Sequence, residues 1–183
     1  MPKAEGGMLA VLGLKREDLE KILQGNQNDF YAEVANDNSD GQIVLSGKTK
    51  DLKVLSEFLK DKKIKNIKLP VSAPFHCNLM SKATEVMTKE LQKINFKQSK
   101  NILISNVTAN EISNIEELKV LLIKQIEKRV RWRETIIYMI NKGVNQFIEI
   151  GPGKVLSGLV KRINKDVKIS SINSQSDIES LNI

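Results

Sequence analysis

The residue with the clearest potential for chemistry is His76, the only histidine of the 183-residue chain. An imidazole can accept and donate a proton near neutral pH, so a histidine is a natural general base or general acid. A single histidine is nevertheless more often a structural residue whose two nitrogens are both bonded. The residue type alone therefore leaves a structural and a catalytic interpretation open.

The position of His76 favours the catalytic interpretation. Pro74 removes a backbone donor and disfavours helix in the residue before it, so the preceding strand-like run must end there. Beyond His76, apolar residues recur at helical spacing, which predicts a helix over about 78–94 with one buried stripe. Ligands of open α/β sheets bind at such strand-to-helix turns. The stripe consists of Leu79, Met80, Ala83, Val86, Met87, Leu91 and Ile94.

Two other side chains could take part in a site. Gln125 continues the apolar stripe of a predicted helix, where an amide costs stability unless it bonds a backbone group or faces a site. Cys77 directly follows His76, but neighbouring residues in an extended turn point apart, so we do not expect it to be the nucleophile. One cysteine and one histidine cannot form a zinc site, and we expect no metal.

Composition narrows the class of protein. The chain has 40% hydrophobic residues and no apolar run near the ~20 residues of a membrane span. It also begins without a charged-then-apolar leader, so we expect a cytoplasmic protein without a membrane partner. The net charge is +7, but aromatic residues are only 4% and do not interleave with the basic clusters. A nucleic-acid partner is therefore not expected.

Periodicity predicts two segments with different architecture. Residues 6–70 alternate as strand, helix, strand, strand, helix, strand, the order of a ferredoxin-like α+β subdomain. Turn-forming residues over 36–41 predict the connection of a hairpin between strands at 31–35 and 42–46. The last strand of this segment is predicted over about 64–71, directly before the histidine turn.

Residues 71–183 form the second predicted segment. A nearly continuous apolar run at 102–107 predicts a strand buried on both faces, as in a mainly parallel sheet. A later strand at 146–150 leads through Gly151-Pro152-Gly153 into a helix. The amides of that helix start could hold an anion, but this pattern matches neither the dinucleotide nor the phosphate-loop motif. We therefore favour a tight connection.

Three stretches, at residues 36–47, 69–77 and 147–156, carry distinctive motifs. Together they resemble the malonyl-CoA:acyl carrier protein transacylases of bacterial fatty acid synthesis. They occur in the family's order and extend over most of the chain, although Asp40 replaces an expected proline. The acyltransferase domains of polyketide synthases are the nearest competitor. The stretches are Asn-Asp-Asn-Ser-Asp-Gly-Gln-Ile-Val-Leu-Ser-Gly at 36–47, Leu-Pro-Val-Ser-Ala-Pro-Phe-His-Cys at 69–77 and Phe-Ile-Glu-Ile-Gly-Pro-Gly-Lys-Val-Leu at 147–156.

The resemblance implies a fold and a reaction. Residues 6–70 would be a ferredoxin-like subdomain inserted into an α/β-hydrolase-like domain, and residues 71–183 would be the C-terminal part of that larger domain. The reaction would be ping-pong transfer of malonyl from malonyl-CoA, through an acyl-serine, to the thiol of acyl carrier protein, without a bound cofactor.

The resemblance also implies roles for five residues. His76 matches the general base, and Gln125 matches the residue whose main-chain carbonyl orients it. Phe75 matches a position that favours malonyl over branched acyl groups, and Asn36 and Asn38 match polar residues that line the acyl or pantetheine channel.

The family's nucleophile lies in a Gly-x-Ser-x-Gly elbow, and no such motif occurs in the 183 residues. Either a separate N-terminal half supplies the serine, or the sequence is one piece of a longer chain. We expect the chain alone to be inactive. The alternative is a non-catalytic remnant, or a module that binds acyl carrier protein through Lys161, Arg162 and Lys165.

Overall fold

The first part of the structure is a four-stranded antiparallel sheet with two helices. The computed structural model describes residues 5–181, so residues 182 and 183 of the predicted second segment lie outside the described residues. The strands lie in the order β2-β3-β1-β4. Every neighbouring pair is antiparallel. The elements are β1 (Gly6–Leu12), α1 (Arg16–Gly25), β2 (Ala32–Ser39), β3 (Gln42–Lys48), α2 (Thr49–Asp61) and β4 (Asn66–Lys68).

Hydrophobic residues are buried on both faces of this sheet. One face packs against α1 and α2, whose inward residues are spaced as in an amphipathic helix. The other face carries a smaller apolar cluster, against which Leu69 and Val71 pack. The chain that leaves β4 is thereby held on the sheet as it approaches His76. The helix-side core includes Leu9, Val11, Leu19, Ile43, Leu45, Leu52, Leu55 and Leu59, and the opposite cluster is Met8, Ala10, Ala35 and Val44.

The predicted hairpin is present, but its turn is shorter than predicted. β2 continues to Ser39, so only Asp40 and Gly41 connect it to β3. Two shifts of register let the polar residues of β2 stay in the sheet. The other edge of β2 bonds to Val130, which donates to the Ala35 carbonyl and accepts from the Asp37 amide. Long-range pairing has therefore extended a strand through residues that favour turns.

The last strand of the first segment is also shorter than predicted. β4 comprises Asn66–Lys68 alone. It pairs with residues 9–11 of β1. A further backbone bond joins the Leu69 amide to the Met8 carbonyl at 3.0 Å, after which the chain leaves the sheet toward Pro74.

The second part contains five helices and a parallel strand pair within the described residues. A 3₁₀ turn at Asn78–Met80 precedes the first of these helices. Strands β5 and β6 pair from Gln146 opposite Lys168 to Ile150 opposite Ile172. The elements are α3 (Ser81–Gln92), α4 (Ile115–Lys124), α5 (Trp132–Asn141), β5 (Gln146–Ile150), α6 (Val155–Ile163), β6 (Lys168–Ile172) and α7 (Gln175–Glu179).

The prediction of a strand over 102–107 is wrong. Only an isolated bridge between Ile104 and Glu111 forms there. The Ile112 amide bonds to the Leu103 carbonyl, so the segment turns back on itself. Ile102 is 72% exposed rather than buried on two faces. An apolar run becomes a strand only where a partner strand lies beside it, and none does within residues 5–181.

The buried stripe predicted for the helix after His76 is only partly correct. Leu91 is buried, but Val86, Met87 and Ile94 are exposed. Periodicity correctly identified a helix with an apolar side. In the described part of the chain, however, α3 packs mainly against α4, which covers only some of that side.

Candidate active site

His76 lies in a tight turn between β4 and α3 and has a positive φ of 60°. Its Nδ1 lies 2.7 Å from the main-chain oxygen of Gln125, the C-terminal cap residue of α4. Carbonyls at the end of a helix lack partners within the helix and are free to accept. Because a carbonyl only accepts, Nδ1 must carry the proton in this bond. In a neutral ring, Nε2 then has the lone pair that a general base needs.

The histidine ring lines an open cleft of about 390 Å³. Nε2 has no hydrogen-bond partner among residues 5–181. The cleft therefore presents a histidine that can take up a proton and return it. Its other lining residues are Glu20, Leu23, Gln24, Gln27, Phe30, Tyr31, Ala32, Glu33, Val34, Glu127, Lys128 and Arg129.

The other predicted site residues differ in their exposure and in their relation to this cleft. Phe75 precedes His76, and its side chain is 43% exposed. Asn36 and Asn38 are half-buried on β2, but neither is among the residues that line the cleft. Gln125 binds His76 through its main-chain carbonyl. Gln125 also lines a separate cavity of about 240 Å³, together with Leu103.

Three contacts that the sequence did not reveal hold the histidine turn in place. The buried Ser46 of β3 donates to the Phe75 carbonyl. The Glu33 carboxylate of β2 accepts from the Asn78 amide at 3.1 Å. A Cβ on Gly6 would lie 2.5 Å from Pro74, so only glycine allows the turn to approach β1 this closely. No local pattern marks these residues, because each partner is far away in sequence.

Cys77 is fully buried and does not face the cleft. Its Sγ donates to the Pro74 carbonyl at 3.2 Å. Burial raises the pKa of the Cys77 thiol, which keeps it protonated. A buried, protonated thiol is a poor nucleophile, in agreement with the sequence-based expectation.

A buried ion cluster connects the segment after α4 to the first part of the molecule. Asp37 of β2 is 1% exposed and accepts three hydrogen bonds from Arg133 of α5, the shortest at 3.0 Å. Arg16 of α1 approaches the same carboxylate at 3.5 Å. Nearby, Arg129 on the cleft wall pairs with Glu20 of α1 at 3.3 Å. The cluster thus fixes the chain that follows Gln125 against α1 and β2.

The Gly-Pro-Gly turn makes the tight connection that the sequence favoured. Glu149 of β5 accepts from the amides of Ser157 at 2.7 Å and Leu156 at 3.1 Å, at the start of α6. Gly153 donates to the Asn173 side chain, which ties the turn to the end of β6. The chain's own carboxylate therefore occupies the position that an anion could have taken at this helix start.

This contact predicts a local pH dependence. Hydrogen bonds from Ser157 and Leu156 hold the pKa of Glu149 below its ordinary value of 4.5. A lowered pKa means that the stabilisation is complete above the ordinary value and is lost as the pH falls through the lowered one. We expect the Leu156 and Ser157 amides to lose hydrogen-exchange protection selectively as the pH falls below the ordinary glutamate value of 4.5.

Exchange measured by NMR and corrected for intrinsic rates tests this expectation. In Glu149→Gln the exchange protection of the Leu156 and Ser157 amides should already be weaker at neutral pH, and it should not fall further as the pH is lowered. Glu179→Gln is the matched control, because within residues 5–181 the Glu179 side chain bonds only to Gln175 of the same helix. Equal acid sensitivity of Leu156 and Ser157 in the wild type and in Glu149→Gln would contradict the assignment.

Residues 5–181 contain no group of three or more histidine, cysteine, aspartate or glutamate side chains placed to hold a metal ion. None of the helices within this range has the length and apolarity needed to cross a membrane.

The fold is that of an α/β protein in which a main-chain carbonyl holds a histidine ring at an open cleft. Comparisons with known proteins are more specific. The chain is 39% identical over 181 residues to the malonyl CoA-acyl carrier protein transacylase of Bacillus subtilis, covering 98% of this chain and 57% of that protein. It is 37% identical to the transacylase of the same name from Staphylococcus aureus, covering 99% of this chain and 59% of the relative. No model of a known protein family matches the sequence.

Solved structures give the same result. The malonyl CoA-acyl carrier protein transacylase of Clostridium perfringens is 40% identical, with a TM-score of 0.92 over 98% of this chain and 57% of that one. The acyl-carrier-protein S-malonyltransferase of Bartonella henselae is also 40% identical, with a TM-score of 0.93 over 98% of this chain and 58% of that one. The resemblance to malonyl-CoA:acyl carrier protein transacylases is therefore confirmed, and the chain spans less than three-fifths of these relatives' length.

Proposed function

We propose that this chain provides the general-base part of an acyl-carrier-protein S-malonyltransferase of fatty acid synthesis, acting in the cytoplasm. The observation that carries the proposal is the bond between His76 Nδ1 and the Gln125 carbonyl, which leaves Nε2 available in an open cleft. The similarity to transacylases along nearly the whole chain supplies the reaction class.

In the proposed reaction, His76 moves one proton in each direction per half-reaction. Nε2 takes the proton of a serine hydroxyl as the serine oxygen attacks the thioester carbonyl of malonyl-CoA. The carbon–sulfur bond then breaks, and His76 returns the proton to the departing coenzyme A thiol. In the second half-reaction His76 deprotonates the carrier-protein thiol, whose sulfur attacks the malonyl-serine carbonyl. The bond from that carbon to the serine oxygen then breaks, and His76 returns the proton to the serine oxygen. The reaction uses no bound cofactor.

The serine of this mechanism comes, in our proposal, from an N-terminal half outside these 183 residues, because no Gly-x-Ser-x-Gly occurs within them. Exposed apolar side chains of the second segment support such a partner. Ile102 is 72% exposed. Ile150 is 79% exposed and ends β5 of a parallel sheet that has only two strands within the described residues. Large exposed apolar surfaces of this kind mark protein contacts.

The finer description of the fold is part of the same proposal. We assign residues 6–70 to a ferredoxin-like insert, supported by the strand order β2-β3-β1-β4. Residues 71–183 are the C-terminal part of an α/β-hydrolase-like domain, supported by the parallel β5–β6 pair with α6 between its strands. The ion cluster around Asp37 would hold the two parts together.

The substrate contacts are also proposals. The ring of Phe75 is large enough to fill the space of an α-methyl group and so favours malonyl over branched acyl groups. Asn36 and Asn38 face the acyl or pantetheine channel once the serine-bearing half is in place. An acyl carrier protein is the natural acceptor. A structural relative 29% identical to this chain, with a TM-score of 0.92, is a malonyl-transacylase in complex with a type II polyketide synthase acyl-carrier protein.

Intact-mass spectrometry after incubation with malonyl-CoA tests the proposal. We expect no stoichiometric malonyl adduct on this chain alone. A chimera, in which this chain replaces the matching part of the Bacillus subtilis relative, should form one adduct per molecule and pass it to holo-acyl carrier protein. A chimera that binds the carrier protein but forms no adduct would instead favour the binding-module alternative and the exposed Lys161, Arg162 and Lys165.

A further inference from the structure

The peptide group that joins Phe75 to His76 is hydrogen-bonded at both of its polar atoms. Its carbonyl oxygen accepts from the Ser46 hydroxyl at 2.5 Å. Its N–H donates to the Ile126 carbonyl at 3.2 Å. Ser46 lies on β3 and Ile126 follows α4, so the two bonds come from separate parts of the molecule. Together they fix the orientation of the peptide plane.

The orientation of this peptide decides where the histidine ring lies. His76 has a φ of 60°, a left-handed conformation that non-glycine residues rarely adopt and that their surroundings must maintain. Rotation of the plane back to an ordinary negative φ would carry Cβ and the ring away from Gln125. The bond from Nδ1 to the Gln125 carbonyl therefore depends on the Phe75–His76 peptide staying in place.

Ser46 is unusual for a residue in the middle of a buried strand. It is 0% exposed and lies opposite Met8 of β1 and Glu33 of β2. A hydroxyl at such a position costs stability unless it is bonded, and its recorded bond reaches 29 residues along the chain. An alanine would satisfy the needs of the apolar core. The bond to the Phe75 carbonyl explains why a serine rather than an alanine occupies this position.

We propose that Ser46 is a positioning residue for His76. Its hydroxyl keeps the Phe75–His76 peptide in the orientation that brings Nδ1 to Gln125 and leaves Nε2 to the cleft. The conformational part of this proposal stands on the geometry alone. Its catalytic consequence rests on the proposed function.

NMR of the chain as it stands tests the conformational part, because His76 is the only histidine and its ring signals are unambiguous. In the wild type we expect a slowly exchanging Ser46 hydroxyl proton, which is seen only when a hydroxyl is bonded and shielded from water. In Ser46→Ala we expect broadened or doubled His76 ring signals, with most other amide signals unchanged. Absence of the hydroxyl proton, or ring signals that match the wild type, would overturn the proposal.

Ser39→Ala is the matched control. Ser39 is also buried, at 1% exposure on the neighbouring strand, but its hydroxyl has no hydrogen-bond partner in the structure. Its removal should leave the His76 ring signals as they are in the wild type. If Ser39→Ala disturbed them as strongly as Ser46→Ala, a general loosening of the sheet would explain both results, and the positioning role would be rejected.

Kinetics of the chimera test the catalytic part. Ser46→Ala should lower kcat about 10- to 100-fold, with KM for malonyl-CoA changed less than about twofold, because the base is misplaced while the substrate contacts remain. An unchanged kcat would reject this part. If the unmodified chimera formed no malonyl-enzyme, the proposed function would fail, while the NMR result would still decide the role of Ser46.

Discussion

Replacement of His76 by alanine in the chimera is expected to lower kcat/KM for malonyl transfer by about 10²- to 10⁴-fold, the usual contribution of a general acid–base residue. The loss should appear in both half-reactions, because in the proposed mechanism the same imidazole deprotonates the serine and later the carrier-protein thiol. Pre-steady-state formation of the malonyl adduct, followed by intact-mass spectrometry, separates the two steps.

Two measurements keep this prediction distinct from a failure to fold. The urea midpoint of His76→Ala should stay close to that of the parent chimera, and added imidazole should restore part of the activity by entering the vacated space. Lys93→Ala is the control, because Lys93 is 68% exposed and pairs only with Glu90. Equal rates of adduct formation in His76→Ala and the parent would refute a general-base role.

Replacement of Asp37 by alanine is expected to lower the free energy of unfolding of this chain by about 3 kcal/mol. Asp37 is 1% exposed and neutralises Arg133, with Arg16 at 3.5 Å from the same carboxylate. An arginine side chain stays protonated at neutral pH with or without a partner, so both guanidinium groups remain charged when the carboxylate is removed. They would then repel each other in a largely buried site. We expect a loss at the lower end of the usual range for a broken buried ion pair, because the side chains of Arg133 and Arg16 are still 20% and 23% exposed.

Asp40→Ala is the matched control, because Asp40 also pairs with Arg133 but is 72% exposed. Its loss should change stability by less than about 0.5 kcal/mol. Urea unfolding, followed by circular dichroism, measures both variants under the same conditions. Similar midpoints for Asp37→Ala and Asp40→Ala would show that the buried cluster does not hold the two parts of the molecule together.

Sequence patterns were reliable for helices and caps, because these depend on residues that are close together in the chain. Leu52, Leu55 and Leu59 of α2 have the spacing of an amphipathic helix, and the structure buries all three. Asn114 lies three residues before Glu117, a spacing typical of a helix start, and its side chain accepts from the Glu117 amide at 2.9 Å. These features depend on residues within one or two helical turns, so short-range periodicity and capping chemistry are sufficient to reveal them.

The sequence-based predictions that were wrong have a common physical cause. The run at 102–107 has the composition of a buried strand, but a strand requires a neighbour to satisfy its backbone groups, and none lies beside it within residues 5–181. The residues at 36–39 favour turns, yet pairing with β3 and Val130 keeps them in β2. In both places a partner distant in sequence, or its absence from the described residues, decided the local structure.

The sequence by itself determined that this is an α/β protein similar to the transacylases, with His76 in a turn before a helix. Those conclusions depend on motifs and periodicities that are contiguous in the chain. Only the tertiary structure decided that the Gln125 carbonyl meets Nδ1 at 2.7 Å, that Ser46 holds the Phe75 carbonyl, and that Asp37 binds Arg133. These contacts join residues 29 to 96 positions apart. Geometry of that kind arises only when the chain has packed, because no local preference specifies it.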